Sequence, residues 1–221
     1  MSRNIVITGA NRGIGLELAR QFHDKGDEII AICRETSDEL DAIASVVIEN
    51  IDVSVPQSLE QLPIVLSDTK IDVLINNAGL FQNETLSSLD FDSIQQQMEV
   101  NAYGPLRVAQ VLLPLMDKGS KIANITSRMG SIEDNTSGNY YGYRASKAAL
   151  NAFGKSLAMD LKPKGIAVVQ LHPGFVQTRM VGFNGDISPE DAARGLINQI
   201  ESLTIETTGT FWHSNGDALP W

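Results

Sequence analysis

Short β-rich apolar runs alternate with longer segments of helical period along almost the whole chain, and this alternation admits few folds. Strands joined by helices return in the same direction, so they build a mostly parallel sheet from βαβ units. The candidate strands are residues 4–8, 28–33, 46–51, 73–76, 121–125, 167–172 and a last one near 210–213. Between them Ile14, Leu18 and Phe22 recur at spacing four, and Leu150, Phe153, Leu157 and Leu161 at spacings of three and four, which places each set on one helix face. Ser188-Pro189-Glu190-Asp191 reads as a helix start with a cap, a proline at the first position and acids in the first turn. Thr36-Ser37-Asp38-Glu39 has the spacing of a capping box, with Thr36 as its cap. The expected architecture is α/β: residues 1–221 as a single doubly wound domain, seven mostly parallel strands with helices on both faces. No repeat, low-complexity tract or linker divides the chain.

Charge and composition remove several classes of function. Twenty-seven Asp and Glu against seventeen Lys and Arg give a net charge of −10, a field that repels phosphate backbones, so nucleic acid is not an expected partner. No run approaches the roughly 18 consecutive apolar residues of a membrane-spanning helix; the densest, 111–116, is interrupted by Pro114. The single Cys33 has no internal disulfide partner, and the first residues enter a strand and a glycine loop without the apolar core of a signal peptide. A cytoplasmic protein is expected. His23, His172 and His213 show no metal-ligand spacing among themselves or with Cys33; each is read as a surface or core histidine, and no metal is expected.

The first candidate strand runs straight into Thr8-Gly9-Ala10-Asn11-Arg12-Gly13-Ile14-Gly15 and then into a helix. Glycines at a strand-to-helix junction allow a tight turn and let a phosphate approach the backbone N–H groups at the helix N-terminus, as in Rossmann dinucleotide-binding folds. The spacing is G-x-x-x-G-x-G, which differs from the G-x-G-x-x-G fingerprint, and without a following Gly-Lys-Ser/Thr it is not a nucleotide-triphosphate loop. NAD-binding folds place an acid on the ribose 2′-hydroxyl roughly 20 residues further on. Here the second strand ends Ile32-Cys33-Arg34 and the acid is missing. Arg34, with Arg12 from the glycine loop, offers charged hydrogen bonds to a 2′-phosphate, so NADP(H) is the expected cofactor. Asp52, after the third strand, either accepts from an adenine amino group or caps its own loop.

Tyr143-Arg144-Ala145-Ser146-Lys147 opens a helical segment, and the spacing i to i+4 puts the phenol and the ammonium on one face. A phenol of ordinary pKa about 10 is a weak acid-base catalyst at neutral pH, and a neighbouring cation lowers that value. Tyr140 and Tyr141 are followed at the same spacing by Arg144 and Ala145, so Tyr143 is the candidate. The pair alone also suits any exposed helix.

These pieces occur together. The glycine loop, Asn76-Asn77-Ala78-Gly79 after the fourth strand, Asn101, Ser127 within Thr126-Ser127-Arg128-Met129-Gly130, Tyr143 to Lys147, and Pro173-Gly174 with Thr178 follow the order of the short-chain dehydrogenases/reductases, which the chain resembles over nearly its whole length. The finer pattern, with a tail ending Leu219-Pro220-Trp221, is similar to the sniffer-like carbonyl reductases and the C-factor-type signalling proteins. The resemblance implies a Rossmann domain with strand order 3-2-1-4-5-6-7 that works as an NADPH-dependent carbonyl reductase, or the reverse alcohol dehydrogenase. Tyr143 would be the general acid, Ser127 a hydrogen-bond donor to the substrate oxygen, and Lys147 a ligand of the nicotinamide ribose that depresses the Tyr143 pKa. Asn101 would hold a water linking Lys147 to solvent. The cofactor would lie along Gly9, Asn11, Arg12, Gly13, Ile14 and Gly15, then Arg34, Asp52 and Val53, then Asn77, Ala78 and Gly79, with Tyr143, Lys147, Pro173, Gly174, Val176 and Thr178 at its nicotinamide end. Family members often pair the Tyr143 helix across an interface, so a homo-oligomer, dimer or tetramer, is expected; Ala145, Ala148, Ala149 and Ala152 would permit it.

Two departures bear on substrate. The stretch between Ser127 and Tyr143 is long, with Asp134, Asn135, Ser137 and Gly138 as a polar insertion, and 179–188 is brief where relatives carry longer covering helices. A fairly open pocket for varied apolar carbonyl compounds is expected, with Phe175, Met180 and Phe183 near its mouth. Two rival functions share the scaffold: an NADP(H)-binding signalling or regulatory protein of the C-factor type, and an epimerase or dehydratase.

Overall fold

The computed structural model describes residues 2–221. Strands β1 (Asn4–Thr8), β2 (Glu28–Ile32), β3 (Val46–Ile48), β4 (Ile71–Asn76), β5 (Met116–Ile125), β6 (Ala167–His172) and β7 (Thr210–His213) form one sheet in the order β3-β2-β1-β4-β5-β6-β7, every pair parallel. The helices are α1 (Gly13–Asp24), α2 (Asp38–Asp41), α3 (Pro56–Leu59), α4 (Leu62–Val65), α5 (Phe91–Met98), α6 (Gly104–Leu112), α7 (Tyr141–Leu161) and α8 (Pro189–Ser202). Among the described residues no helix is long and apolar enough to cross a membrane.

Alternate strand side chains point to opposite faces, and both faces are covered. Ile5, Ile7, Ile29 and Val169 pack under Leu18 and Phe22 of α1 and Leu196 and Ile200 of α8. Val6, Leu74, Ile122 and Val168 pack under Val108 and Leu112 of α6 and Leu161 of α7. Covering both faces is what makes the strands read as nearly continuous apolar runs.

β1, β6 and β7 occupy the predicted spans, whereas β2 stops at Ile32 and β3 at Ile48, short of Cys33 and Ile51. β4 begins at Ile71, and β5 at Met116 rather than at Lys121. The early half of β5 pairs Met116 with Ile71 across a register shift, and its Asp117, Lys118 and Gly119 face solvent, so no apolar run announces it. The cap of α2 is Ser37, whose hydroxyl accepts from Leu40 N–H at 3.3 Å. Thr36 instead donates its hydroxyl to Asp41 Oδ1 at 2.7 Å. At α8, Ser188 caps as predicted, accepting from Asp191 N–H at 3.1 Å, with Pro189 first in the helix.

All seven strands point the same way, so the segments that leave β1, β2, β4, β5 and β6 collect along one edge, the edge where open α/β sheets bind ligands. The glycine loop, Arg34, Asn77 to Gly79, Ser127 and Pro173 to Thr178 follow strands at that edge, and Tyr143 and Lys147 lie on α7.

Candidate active site

The glycine loop is clamped from below. Asn77 Nδ2 donates to the carbonyls of Thr8 and Gly9, both at 3.0 Å, while Thr8 Oγ1 accepts from the N–H groups of Asn77 and Ala78 at 3.0 and 3.1 Å. A Cβ at Gly15 would sit 2.2 Å from the Gly9 carbonyl oxygen and 2.5 Å from Asn77 Nδ2, so only glycine allows this closeness. Gly13, at φ +56°, has Thr178 Cγ2 as its nearest neighbour at 3.6 Å, which brings the loop after β6 over the glycine loop. Arg12 is the N-cap of α1 without a side-chain hydrogen bond, and the first turn holds no acid. Backbone N–H groups there have no side-chain acceptor, an arrangement suited to a pyrophosphate.

Arg12 and Arg34 are both exposed, and neither has an ion-pair partner among the described residues. Asp52 closes its own loop: Oδ1 accepts from the Ser54 N–H at 2.9 Å and from its hydroxyl at 2.6 Å. The loop-capping role is thus filled by one oxygen, leaving Oδ2 for any ligand. Val53 is buried with its side chain against Gly104, so only its backbone is placed to meet a cofactor.

β5 delivers Thr126 and Ser127 into a short turn, Arg128–Gly130, that lies directly on α7; a Cβ at Gly130 would approach the Lys147 carbonyl carbon to 2.7 Å. Ser127 Oγ accepts from the Met129 N–H at 3.1 Å and shares a cavity wall with the Tyr143 phenol, whose pKa it pulls down. Lys147 is 4 % exposed; its Nζ donates to the Ile125 carbonyl at 2.9 Å and lies 5.7 Å from the centre of the Tyr143 ring. Burial pushes the Tyr143 phenol up to about 12 against the pull of Ser127, and burial lowers Lys147 to about 8. The expected depression of the Tyr143 pKa by Lys147 is therefore not what this arrangement gives. The ammonium is turned to Ile125, and desolvation of the phenol dominates.

Asn101 lies in a π-helical turn, Glu99–Tyr103, between α5 and α6, and is fully buried. Its Oδ1 accepts from Leu80 N–H at 2.7 Å, and its Nδ2 donates to Leu80 O at 2.7 Å and to Ser146 Oγ at 3.0 Å. The carboxamide ties the segment after β4 to α7 one residue before Lys147.

Glu84 has no counterpart in the reading of the sequence. The chain enters α7 through Asn139 and Tyr140, both at φ 54°, and no side chain of that entry caps the helix. The buried Glu84 carboxylate does so instead, accepting from Gly142 N–H at 3.1 Å, from Gln97 Nε2 at 2.6 Å and from Ser93 Oγ. A carboxylate at a helix N-terminus suits the helix dipole. It arrives from 58 residues away, which leaves no local sequence signal. Phe81, from the same segment, packs edge-on against Tyr143 with centroids 4.9 Å apart.

These groups surround a cavity of about 430 Å³ whose wall includes Ser127, Tyr143, Ile14, Gly174, Val176 and Thr178, so the glycine-loop helix and the post-β6 loop meet the Ser127–Tyr143 pair in one space. Phe175 and Met180 line it as expected; Phe183 does not and is 70 % exposed, held away at φ 62° behind the turn Arg179–Val181. His172, read from the sequence as a surface or core residue, is buried yet on the cavity wall. Burial lowers its pKa to about 3, so it is neutral throughout the physiological range.

Comparison with known proteins places this geometry. The profile of the family described as short chain dehydrogenase matches residues 3–187. Over 98 % of this chain and 99 % of the other, the sequence is 41 % identical to 1-hydroxy-2-glutathionyl-2-methyl-3-butene dehydrogenase of Rhodococcus sp. (strain AD45). C-signal of Myxococcus xanthus is 42 % identical over 68 % of this chain and 93 % of its own length. Among solved structures, the carbonyl reductase Sniffer of D. melanogaster aligns with a TM-score of 0.91 at 30 % identity, covering all of both chains. A carbonyl reductase from Pseudomonas aeruginosa PAO1 in complex with NADP aligns at 0.88 and 31 % identity, again over the full length of both. Sheet order, glycine cradle and sequence agree that this chain belongs to the short-chain dehydrogenase family of oxidoreductases.

Proposed function

We propose that the protein is an NADPH-dependent reductase of carbonyl compounds that also runs in the direction of alcohol oxidation, with Ser127, Tyr143, Lys147 and Asn101 as its catalytic group. The observation that carries this reading is Ser127 and Tyr143 side by side on the wall of the cavity that the glycine-loop helix also lines, with Lys147 buried one helical turn along. The cradle fits a dinucleotide: Gly15 leaves no room for a Cβ, the start of α1 has no side-chain cap, and Arg12 and Arg34 have no counter-ion among the described residues. Asn77 and Ala78 hold that cradle in place, and the post-β6 residues from Pro173 to Thr178 close its far end.

When bound, NADPH supplies the hydride. The Tyr143 hydroxyl gives its proton to the carbonyl oxygen, and burial keeps that hydroxyl protonated at neutral pH. Ser127 donates to the same oxygen and stabilises its developing charge. Lys147 binds ribose hydroxyls with the N–H groups not engaged by Ile125. Since the Asn101 carboxamide is engaged with Leu80 and Ser146, a water relay to Lys147 falls to the carbonyl groups of the π-helical turn, where the widened helix loosens the regular i to i+4 pairing. The printed name of the Rhodococcus relative, a dehydrogenase of a hydroxy compound, supports the same reaction class.

NADPH should bind about tenfold to a hundredfold more tightly than NADH, the range expected for two charged hydrogen bonds to one phosphate. In the double variant Arg12→Ala/Arg34→Ala that preference should collapse through weaker NADPH binding alone. Titration of protein fluorescence with both nucleotides, followed by loss of nicotinamide absorbance with aldehydes, ketones and quinones, checks both points. Equal affinity for the two nucleotides in the unmodified protein would remove the arginine argument. The likeness to C-signal supports a second reading, a regulatory protein that uses NADP(H) occupancy as a switch; it predicts nucleotide binding without turnover on every substrate offered.

A further inference from the structure

The cavity wall carries three basic side chains that the reduction itself does not use: Arg128, Arg144 and His172. Among the described residues no carboxylate lines it, although Asp and Glu outnumber Lys and Arg by 27 to 17 in the chain. Arg128 is neutralised by Asp134, whose Oδ2 lies 2.7 Å from its Nε. His172 is neutral. Arg144 differs from both. Its Nε donates to the Gly138 carbonyl at 3.2 Å, its Nη2 to Ser137 Oγ at 2.9 Å and its Nη1 to the Met129 carbonyl at 3.5 Å, all of them uncharged acceptors. No ion pair involves it among the described residues.

A guanidinium has five N–H donors in a fixed fork. Three are engaged here, which leaves one on each terminal nitrogen, the set a carboxylate takes in a bidentate pair. The engaged donors hold the fork in place, so an incoming anion does not have to order it. Two of the acceptors, Ser137 and Gly138, belong to the polar insertion between Ser127 and Tyr143, which gives that insertion a task. Arg144 also follows Tyr143 directly in the chain, so an anion held there shares one cavity with the reacting carbonyl.

We propose that Arg144 is the recognition point for a carboxylate of the substrate, and that the preferred substrates are carbonyl compounds or alcohols bearing an acidic group on an apolar body. Phe81, Phe175 and Met180 supply the apolar wall. The proposal rests on the reductase reading and narrows it from varied apolar carbonyls to acidic ones.

The test compares 4-carboxybenzaldehyde with its methyl ester as substrates at saturating NADPH. In the unmodified protein kcat/KM for the acid should exceed that for the ester about tenfold, through KM, the scale of one charged hydrogen-bonded pair. Arg144→Gln should abolish the preference by lowering the acid's value while the ester's stays put. Arg144→Lys should keep part of it, since it retains the charge but not the fork. Equal values for the two substrates in the unmodified protein, or a parallel fall of both in Arg144→Gln, would overturn the proposal. Calorimetric titration of the unmodified protein with benzoate and with benzamide in the presence of NADP⁺ needs no variant to fold and no turnover. Tighter binding of benzoate supports the carboxylate site, and equal binding overturns it. Absence of NADPH oxidation with both aldehydes would count against the reductase reading instead, so the two failures are distinguishable.

Discussion

Tyr143→Phe should lower carbonyl reduction by about a hundredfold to ten-thousandfold, the usual contribution of a positioned general acid, with NADPH affinity nearly unchanged. The substitution removes one oxygen and little else. The ring keeps its edge-on packing against Phe81, and the residue remains on the first turn of α7, whose start is fixed by Glu84 at Gly142. Ser127 still accepts from Met129 N–H, so its position holds. Removing one hydroxyl from this half-buried side chain costs the fold about 1 kcal/mol at most, too little to unfold a domain of this size. Turnover within a few fold of the unmodified protein would end the assignment of Tyr143 as the acid. The same variant separates enzyme from switch: a cellular activity lost together with turnover belongs to the enzyme, and one retained with intact NADP(H) binding belongs to the regulatory reading supported by the likeness to C-signal.

How far the sequence reaches is visible in particular residues. Strands β1 and β6 were readable to the residue because their apolar runs meet glycine or proline at the C-terminal end, Gly9 after Thr8 and Pro173 after His172. The first half of β5 was not, because Asp117, Lys118 and Gly119 extend the strand while facing water. Spacing put Tyr143 and Lys147 on one helix face, but it carries no information on where a flexible ammonium points, and the Ile125 carbonyl takes it. Nor does spacing reveal that both groups are desolvated, which sets the direction of both pKa values. Asn101 stood out as a motif residue, yet its carboxamide is engaged with Leu80 and Ser146, and Leu80 lies 21 residues away. Glu84 and His172 show the remaining limit. One reaches α7 from a distant segment, the other lies on a cavity wall at a strand end, and neither position has a local pattern.

Lys147→Met should make the protein more stable and inactive at once. Burial lowers the Lys147 pKa from 10.5 to about 8, so below pH 8 both states carry the ammonium and the fold holds it less favourably than the unfolded chain does. A drop of that size corresponds to about 3 kcal/mol of destabilisation, fully present below pH 8 and fading as the pH rises toward 10.5, where the unfolded chain also loses its proton. Methionine keeps the length of the side chain and removes the charge. Against this, the Ile125 carbonyl loses its donor, at a cost of about 1 kcal/mol. The ligand-free variant should therefore be more stable than the unmodified protein by about 1–3 kcal/mol at pH 7, with no advantage left at pH 10.5. Urea denaturation at the two pH values measures both numbers, and a variant less stable at pH 7 would show that the buried ammonium is better compensated than one hydrogen bond to Ile125 implies. Turnover has the opposite dependence on the same proton. A charged Lys147, with its three donors, is what binds ribose in this reading, so reduction by the unmodified protein should hold steady below pH 8 and fall above it, while the methionine variant is inactive throughout. The charge that the fold accommodates least well is then the charge the reaction needs, a conflict between stability and activity that belongs to an active site rather than to a structural lysine.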